Sequence, residues 1–122
     1  MKNAPTVFAQ IMAGLDPTEL ARASMRFPMA RASRSLSAYD HFGAMVFAQL
    51  TYRESLRGIE ACLNARRTVT HRMGIRGRVT RTNLAYANDT RDWRVFAEVA
   101  SILMRRAQRL CAEVAPALGL EA

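Results

Sequence analysis

The chain has 122 residues, 50% of them hydrophobic, and carries 18 lysines and arginines against 10 acidic residues, for a net charge of +8. This length suits one domain, which we predict to span residues 1–122, and no run of about 18 apolar residues is present to cross a bilayer. Because the N-terminus lacks an apolar signal core, we expect a cytoplasmic, nucleoid-associated protein without membrane contact. The basic surplus favours a polyanionic partner over a small-molecule substrate.

Two short helices are predicted at the start of the chain. The first follows apolar residues at spacings of three and four, namely Val7, Phe8, Ile11, Met12 and Leu15. For the second, Asp16 supplies an N-cap, Pro17 fits the first turn and Glu19 completes a capping box. The Ser- and Arg-rich stretch that follows Pro28 is predicted to be a connector.

The next two helices are predicted from local capping signals. Ser37 is placed to cap a third helix, whose inward face carries Phe42, Met45, Val46 and Leu50. Residues 51–54 (Thr-Tyr-Arg-Glu) match a capping box for a fourth helix, with Leu56, Ile59 and Leu63 inward. This helix should end near Arg66 and Arg67, because positive charge suits the C-terminal end of the helix dipole.

The remaining chain is predicted to form a loop and two more helices. Residues 68–79 form the loop, with one helical turn over residues 69–73. A short helix over residues 80–88, with the Thr80 hydroxyl at its start, turns Leu84 and Ala87 inward. A long helix starts at Thr90 and stops at Pro116. The long helix is predicted to bury Trp93, Phe96, Ala100, Leu103, Ala107, Leu110 and Val114. No segment alternates as a strand would, so we predict an all-α fold, a compact bundle of about six helices containing a helix-turn-helix-like unit.

The charge distribution points to a nucleic-acid partner. No acidic residue lies between Glu60 and Asp89, and this interval holds Arg66, Arg67, Arg72, Arg76, Arg78 and Arg81. Such a stretch cannot neutralise itself, and the planar guanidinium group suits bidentate contacts with phosphate and guanine. A GC-rich genome would produce the same arginine bias without any function, so a solvated arginine-rich loop stays open as an alternative.

The short helix that begins near Thr80 is the predicted DNA-reading element. In a helix-turn-helix the second helix presents the side chains near its N-terminus to base edges in the major groove. Arg81 suits guanine, Asn83 suits adenine, and Thr82 suits a base or a phosphate. The arginines that precede this helix, Arg72, Arg76 and Arg78, are predicted to lie along the phosphates, where glycines permit a close approach of the backbone. We predict that Tyr86 completes this DNA-binding surface.

Four segments of the chain carry a resemblance to a known family. They are residues 6–10, residues 45–63, residues 71–80 and the interval from Leu84 to Arg94. Together they resemble the N-terminal domain of DDE-type insertion-sequence transposases of the insertion sequence four kind, over most of residues 6–110. The resemblance implies an all-α domain that recognises the terminal inverted repeats of the mobile element, as double-stranded DNA, in transposition.

Two positions and the missing catalytic region qualify this resemblance. Asn83 stands where that family tends to have Ser or Thr, and Tyr86 stands where it tends to have Asp, so the preferred DNA sequence is open. The first catalytic aspartate of the family lies in a strand beyond the last helix, and we find no such strand in this sequence. The ten acidic residues are spread over caps and helix surfaces, so we expect no catalysis by this chain alone.

Other chemistry is predicted to be absent. His41 and His71 have no neighbouring cluster of metal ligands, and Ser55 lacks a base, so we expect no metal site, cofactor or catalytic nucleophile. Cys62 and Cys111 are predicted to be buried, reduced thiols. Two alternative functions stay open. The chain is either a dimerisation module that inhibits a full-length transposase, or a basic helical protein that binds RNA or DNA without sequence preference.

Overall fold

The computed structural model describes residues 7–29, 36–72, 74–75 and 78–119, with only the backbone described at residues 69 and 72. Within these ranges the chain forms α-helices and no strand, so the predicted all-α fold is confirmed. The predicted connector largely lies outside the described residues. The helices are α1 (Val7–Ala13), α2 (Pro17–Arg26), α3 (Ala38–Leu50), α4 (Leu56–Ala65), α5 (Arg67–Arg72), α6 (Arg81–Thr90) and α7 (Trp93–Ala117).

Side-chain oxygens cap the helices where short polar residues precede an apolar run. Asp16 Oδ1 accepts a hydrogen bond from the Thr18 amide at 2.9 Å, and Ser37 Oγ accepts one from the Asp40 amide at 3.0 Å. Both predicted caps are therefore confirmed. The capping-box role of Glu19 is not seen, because its carboxylate instead pairs with Arg106 of α7.

The Asp16 cap gives a first stability prediction. Asp16→Ala should lower the free energy of unfolding by about 1 kcal/mol, because one amide in the first turn of α2 loses its acceptor. Asp16→Asn is the matched control, since asparagine caps about as well as aspartate. Urea unfolding followed by circular dichroism measures both. Equal losses in the two variants would mean that the charge of Asp16, and not its capping oxygen, stabilises α2.

The predicted capping box at residues 51–54 is wrong. Thr51 instead ends α3, where its hydroxyl donates to the Phe47 carbonyl at 2.7 Å. The chain then turns at Tyr52, which has a φ of 56°. α4 begins after Ser55, whose Oγ accepts from the Gly58 amide at 3.0 Å. A threonine can stand at either end of a helix, and here both its amide and its hydroxyl donate to the Phe47 carbonyl at the end of α3.

Two apolar clusters form the core. The first joins α1, α3, α4 and α6 to the segment before α6, and its buried members are Phe8, Met12, Leu36, Ala44, Phe47, Ala48, Ile59, Leu63, Ile75, Val79, Leu84 and Ala87. The second joins α2, α3 and α7 around Leu20, Val95 and Val99. Phe42 of α3 packs against both clusters, so α3 is the helix that links the two halves of the fold.

The segment between α5 and α6 is anchored to this core. Gly74 takes a φ of 95° after α5, and Ile75 and Val79 are buried. Ile75 reaches so close to Gly43 of α3 that a Cβ built there would lie 2.9 Å from its Cδ1 atom. Gly74 itself lies against the Tyr39 ring, 3.1 Å from the position of an added Cβ. Gly74 is therefore needed both for the positive φ of the turn and for its close contact with the Tyr39 ring.

Some apolar residues of the predicted helix patterns are exposed. Val7 and Ile11 lie on the outer side of α1, and Leu50, at 38% exposure, ends α3 on its outer side. α3 instead buries mainly small residues and Phe47. The cause is the density of apolar residues on these helices, which allows more than one helical face to look like the core face.

The inward face of α7 was also predicted incorrectly. Val95 and Val99 are buried, whereas Trp93 is 72% exposed, because a residue two positions before Val95 points away from the face that Val95 shares with Val99. The helix continues past Pro116 and is capped at Leu118. Among the described residues, no helix combines the length and the hydropathy needed to cross a membrane.

The cysteines also differ from their prediction. Cys62 is half-buried, Cys111 is exposed, and both are free thiols. Apolar helical periodicity around Cys111 suggested burial, but the part of α7 that carries it extends beyond the second core cluster.

A candidate nucleic-acid interface

The N-terminal end of α6 is held by two acceptors. Thr80 Oγ1 accepts from the Asn83 amide at 3.1 Å, which confirms the hydroxyl cap predicted for this helix. Glu60 Oε2 of α4 accepts from the Arg81 amide at 2.6 Å. The segment from 61 to 88 has no acidic residue of its own, but the folded chain places the Glu60 carboxylate beside Arg81. A carboxylate at this position also interacts favourably with the positive, N-terminal end of the α6 dipole.

The C-terminal end of α6 is held by α3 and by the segment before it. His41 Nε2 of α3 donates to Asn88 Oδ1 at 2.6 Å. Arg91, the C-cap residue of α6, donates from Nη2 to the Leu36 carbonyl at 2.6 Å. Contacts at both ends, together with the fully buried Leu84 and Ala87 between them, fix the face of α6 that points outward.

Burial lowers the pKa of His41. The ring is 1% exposed and packs edge-on against Phe96, with the centroids 4.9 Å apart. Desolvation is the largest cause of the lowered pKa, the hydrogen bond to Asn88 opposes it, and the positive charge of Arg91 adds to it. Protonation would also add a hydrogen to Nδ1, which is buried and has no described acceptor. The folded protein therefore favours the neutral imidazole.

A pH-dependent stability follows from this lowered pKa. The stabilisation from neutral His41 is fully present above the ordinary histidine value of 6.5 and is lost as the pH falls from there towards the lower folded-state value. We expect the melting temperature to fall over this interval and His41→Gln to remove that part of the pH dependence. His71→Gln is the control, because the His71 side chain is exposed. Melting curves that keep their pH dependence in His41→Gln would contradict the prediction.

A cationic surface lies beside the start of α6. One cleft of about 440 Å³ between α4 and α6 is lined by Arg57, Glu60, Ala61, Asn64, Thr80, Arg81 and Thr82. A second, smaller cleft is lined by Leu63, Asn64, Arg67, Thr70, His71, Ile75, Arg78 and Val79. Asn64 lines both, so the two are adjacent. We call this surface the basic groove and define it by the exposed residues Arg57, Asn64, Arg67, Arg78 and Arg81.

The predicted site residues divide into three groups. Arg78 and Arg81 lie in the basic groove, and Thr82 lies at its edge. Asn83 is half-buried on α6 and does not line the cleft that Arg81 lines. Tyr86 is 37% exposed and lines neither cleft. The Arg72 side chain and the whole of Arg76 lie outside the described residues.

Three members of the groove, Arg57, Asn64 and Arg67, are absent from the predicted DNA-binding residues, although Arg67 belongs to the interval without acidic residues. Arg57 and Asn64 both belong to α4 and are seven positions apart, which places them two turns apart on one face of that helix. This spacing was the signal in the sequence that Arg57 and Asn64 share a helix face. It gains meaning only because α4 packs against α6, which puts that face beside the arginines at the start of α6.

Residues 3–76, more than half of the chain, match a protein family described as a domain of unknown function, DUF4372. The chain belongs to the DUF4372 family. No curated protein matches the chain, and no solved structure matches it either. Family membership thus comes without an assigned activity.

The DUF4372 match divides the basic groove. The matched segment contains α1 to α5, and so it includes Arg57, Asn64 and Arg67. Arg78 and Arg81 lie beyond it, in the segment that leads into α6 and at the start of that helix. The groove is therefore formed where the DUF4372 segment meets the next helix.

The outward face of α6 is uncharged at Thr82 and Tyr86 and becomes negatively charged at Asp89. Thr82, Tyr86 and Asp89 share this face, because they follow one another at spacings of four and three. Asp89 is exposed, and its carboxylate repels phosphate near the C-terminal end. A polyanion can therefore approach the N-terminal half of α6, beside Arg81, more favourably than the C-terminal half. Within the described part of the chain, no three His, Cys, Asp or Glu side chains are grouped as metal ligands would be.

Proposed function

We propose that this chain is a helical DNA-binding domain that recognises the terminal inverted repeats of an insertion sequence during transposition and does not itself cut DNA. One observation carries the proposal: four exposed arginines from α4, α5, α6 and the segment before α6 line two adjacent clefts that share Asn64. Side chains of like charge that are gathered in this way lower their mutual repulsion by binding a polyanion, and duplex DNA supplies regularly spaced phosphates. The family resemblance of the sequence supports the same partner.

The proposed binding mode assigns separate roles to phosphate and base contacts. Arg57, Arg67 and Arg78 contact the phosphates and set the position of the domain on the duplex. α6 enters the major groove with its N-terminal half, where Thr82 points outward and Arg81 reaches either a phosphate or a guanine edge, and Tyr86 extends the same face one turn further on. α4 packs against α6 and takes the part of the first helix of a helix-turn-helix, although α5 occupies the connection that is usually a short turn.

Glu60 is compatible with this mode because of where its charge lies. Its carboxylate accepts the Arg81 amide and thus holds the first turn of α6 in place. That hydrogen bond uses the backbone of Arg81 and leaves its exposed guanidinium group available to DNA.

The experiment is a selection of duplexes from a random library with the full chain, followed by titration of a selected and a scrambled duplex. We expect the selected duplex to bind at least about 10-fold more tightly and the affinity to fall steeply as the salt concentration rises. Equal affinity for the two duplexes would contradict repeat recognition. Preferential binding of a structured RNA in direct competition would contradict duplex DNA as the partner.

A further inference from the structure

The last helix is much longer than the helix it packs on. α7 has 25 residues and α2 has 10, which correspond to lengths of about 37 and about 15 Å at the usual helical rise. Val95 and Val99 are buried in the N-terminal half of α7. At its middle, Arg106 donates to the Gly14 carbonyl at 2.6 Å and pairs with Glu19. The rest of α7 extends beyond these contacts.

An apolar stripe begins at Leu103, which is half-buried against the second core cluster, and continues as exposed residues along the part of α7 beyond Arg106. Leu103, Ala107, Leu110, Val114 and Ala117 follow one another at spacings of four, three, four and three. Leu110 is 60% and Val114 is 48% exposed, and the neighbouring Leu118 is 66% exposed. An alternation of three and four is the pattern by which one helix packs along another in a coiled coil. We call these five residues the α7 stripe.

We propose that the α7 stripe is a homodimer interface, on which a second copy of this chain packs its own α7 in the antiparallel direction. The charges of residues 103–118 decide the direction. Arg105, Arg106 and Arg109 lie in the first half of this segment, and its single acidic residue, Glu113, lies in the second half. A parallel pair would bring two arginine clusters to the same level. An antiparallel pair places Glu113 of each copy beside the exposed Arg109 of the other and opposes the two helix dipoles.

The sizes of the side chains fit the same arrangement. With Leu110 and Cys111 near the two-fold axis, Ala107 of one copy faces Val114 of the other, so a small residue meets a larger one. In the same register Leu103 faces Leu118 of the second copy. Two such segments bury on the order of 1,000 Å² in total, near the lower end for specific interfaces, so we expect a weak dimer whose population depends on protein concentration.

The first test is the mass of the full chain by sedimentation between about 1 and about 500 μM, where a weak dimer gives a concentration-dependent mass. Leu110→Asp should raise the dissociation constant at least about 10-fold, because it places a carboxylate in the seam. Met25→Asp is the matched control, since Met25 is 80% exposed on α2. Circular dichroism shows that both variants keep their helices. A monomer at every concentration, or equal weakening by both substitutions, would overturn the proposal.

The second test fixes the direction of the helices and does not depend on DNA binding. Ala107→Cys and Val114→Cys are made separately in a chain whose own cysteines are replaced, Cys62→Ser and Cys111→Ser. Under mild oxidation, a mixture of the two variants should form a mixed disulfide dimer in much higher yield than either variant alone. Disulfide dimers formed only between like variants would overturn the antiparallel arrangement.

Discussion

Replacing Leu84 with alanine should lower the free energy of unfolding by about 2–5 kcal/mol, a large part of the 5–15 kcal/mol typical of small domains. Leu84 is fully buried and belongs to the larger apolar cluster, which joins four helices and the segment before α6. Removing three heavy atoms there loses apolar burial and leaves a cavity that elements held by other contacts can only partly fill. Urea unfolding followed by circular dichroism gives the difference.

Leu50→Ala is the control for this prediction, since it makes the same chemical change at a side chain that is 38% exposed. We expect it to cost less than about 1 kcal/mol. If the two variants lose the same stability, the placement of Leu84 in the core is wrong. DNA affinity offers a further check, because Leu84→Ala should reduce binding only in proportion to the unfolded fraction.

Helix positions were predictable where one residue and its nearest neighbours decide the structure. Asp16, Ser37 and Thr80 each accept an amide two or three positions further along the chain, so the interaction is fully contained in the local sequence. The burial of Leu84 and Ala87 was likewise visible, because α6 has few apolar residues and hence one apolar face.

Helix faces were not predictable where apolar residues surround the helix. Trp93 was taken for a core residue because its size and spacing suit one, yet Val95 and Val99 face α2 and α3. The contact between His41 and Asn88 joins residues 47 positions apart, and nothing local to either residue indicates it. Such choices depend on which helices meet, which a single sequence does not state.

The candidate site was predictable in its charge and only partly in its members. The arginines between Glu60 and Asp89 mark the surface in the sequence, and Arg78 and Arg81 do lie in the basic groove. Arg57 joins them only through the packing of α4 on α6. The same packing places Glu60 against the start of α6, so one tertiary contact adds both a cation and an anion to the site.

Replacing Arg78 and Arg81 together by glutamine should weaken the binding of duplex DNA by roughly 10²-fold at about 0.1 M salt. Each phosphate contact contributes about 0.9 to the slope of log affinity against log salt, so losing two should make that slope shallower by about 1.8. Glutamine keeps part of the side-chain length and removes the charge, and both arginines are exposed, so folding should be little changed. Fluorescence anisotropy of a labelled duplex over a series of salt concentrations measures both quantities.

The decisive comparison is with a variant that loses the same charge elsewhere. Arg22 and Arg26 on α2 are exposed, do not line the basic groove and lie outside the α7 stripe, so replacing both by glutamine tests net charge away from the groove. At about 0.1 M salt, charges more than about 10 Å from the phosphates are largely screened, and we expect this control to lose less than about 3-fold in affinity. Equal losses in the two variants would mean that DNA is attracted by overall charge and that the groove does not bind it. A loss confined to Arg78 and Arg81, with the shallower slope, would place the phosphates in the groove between α4 and α6.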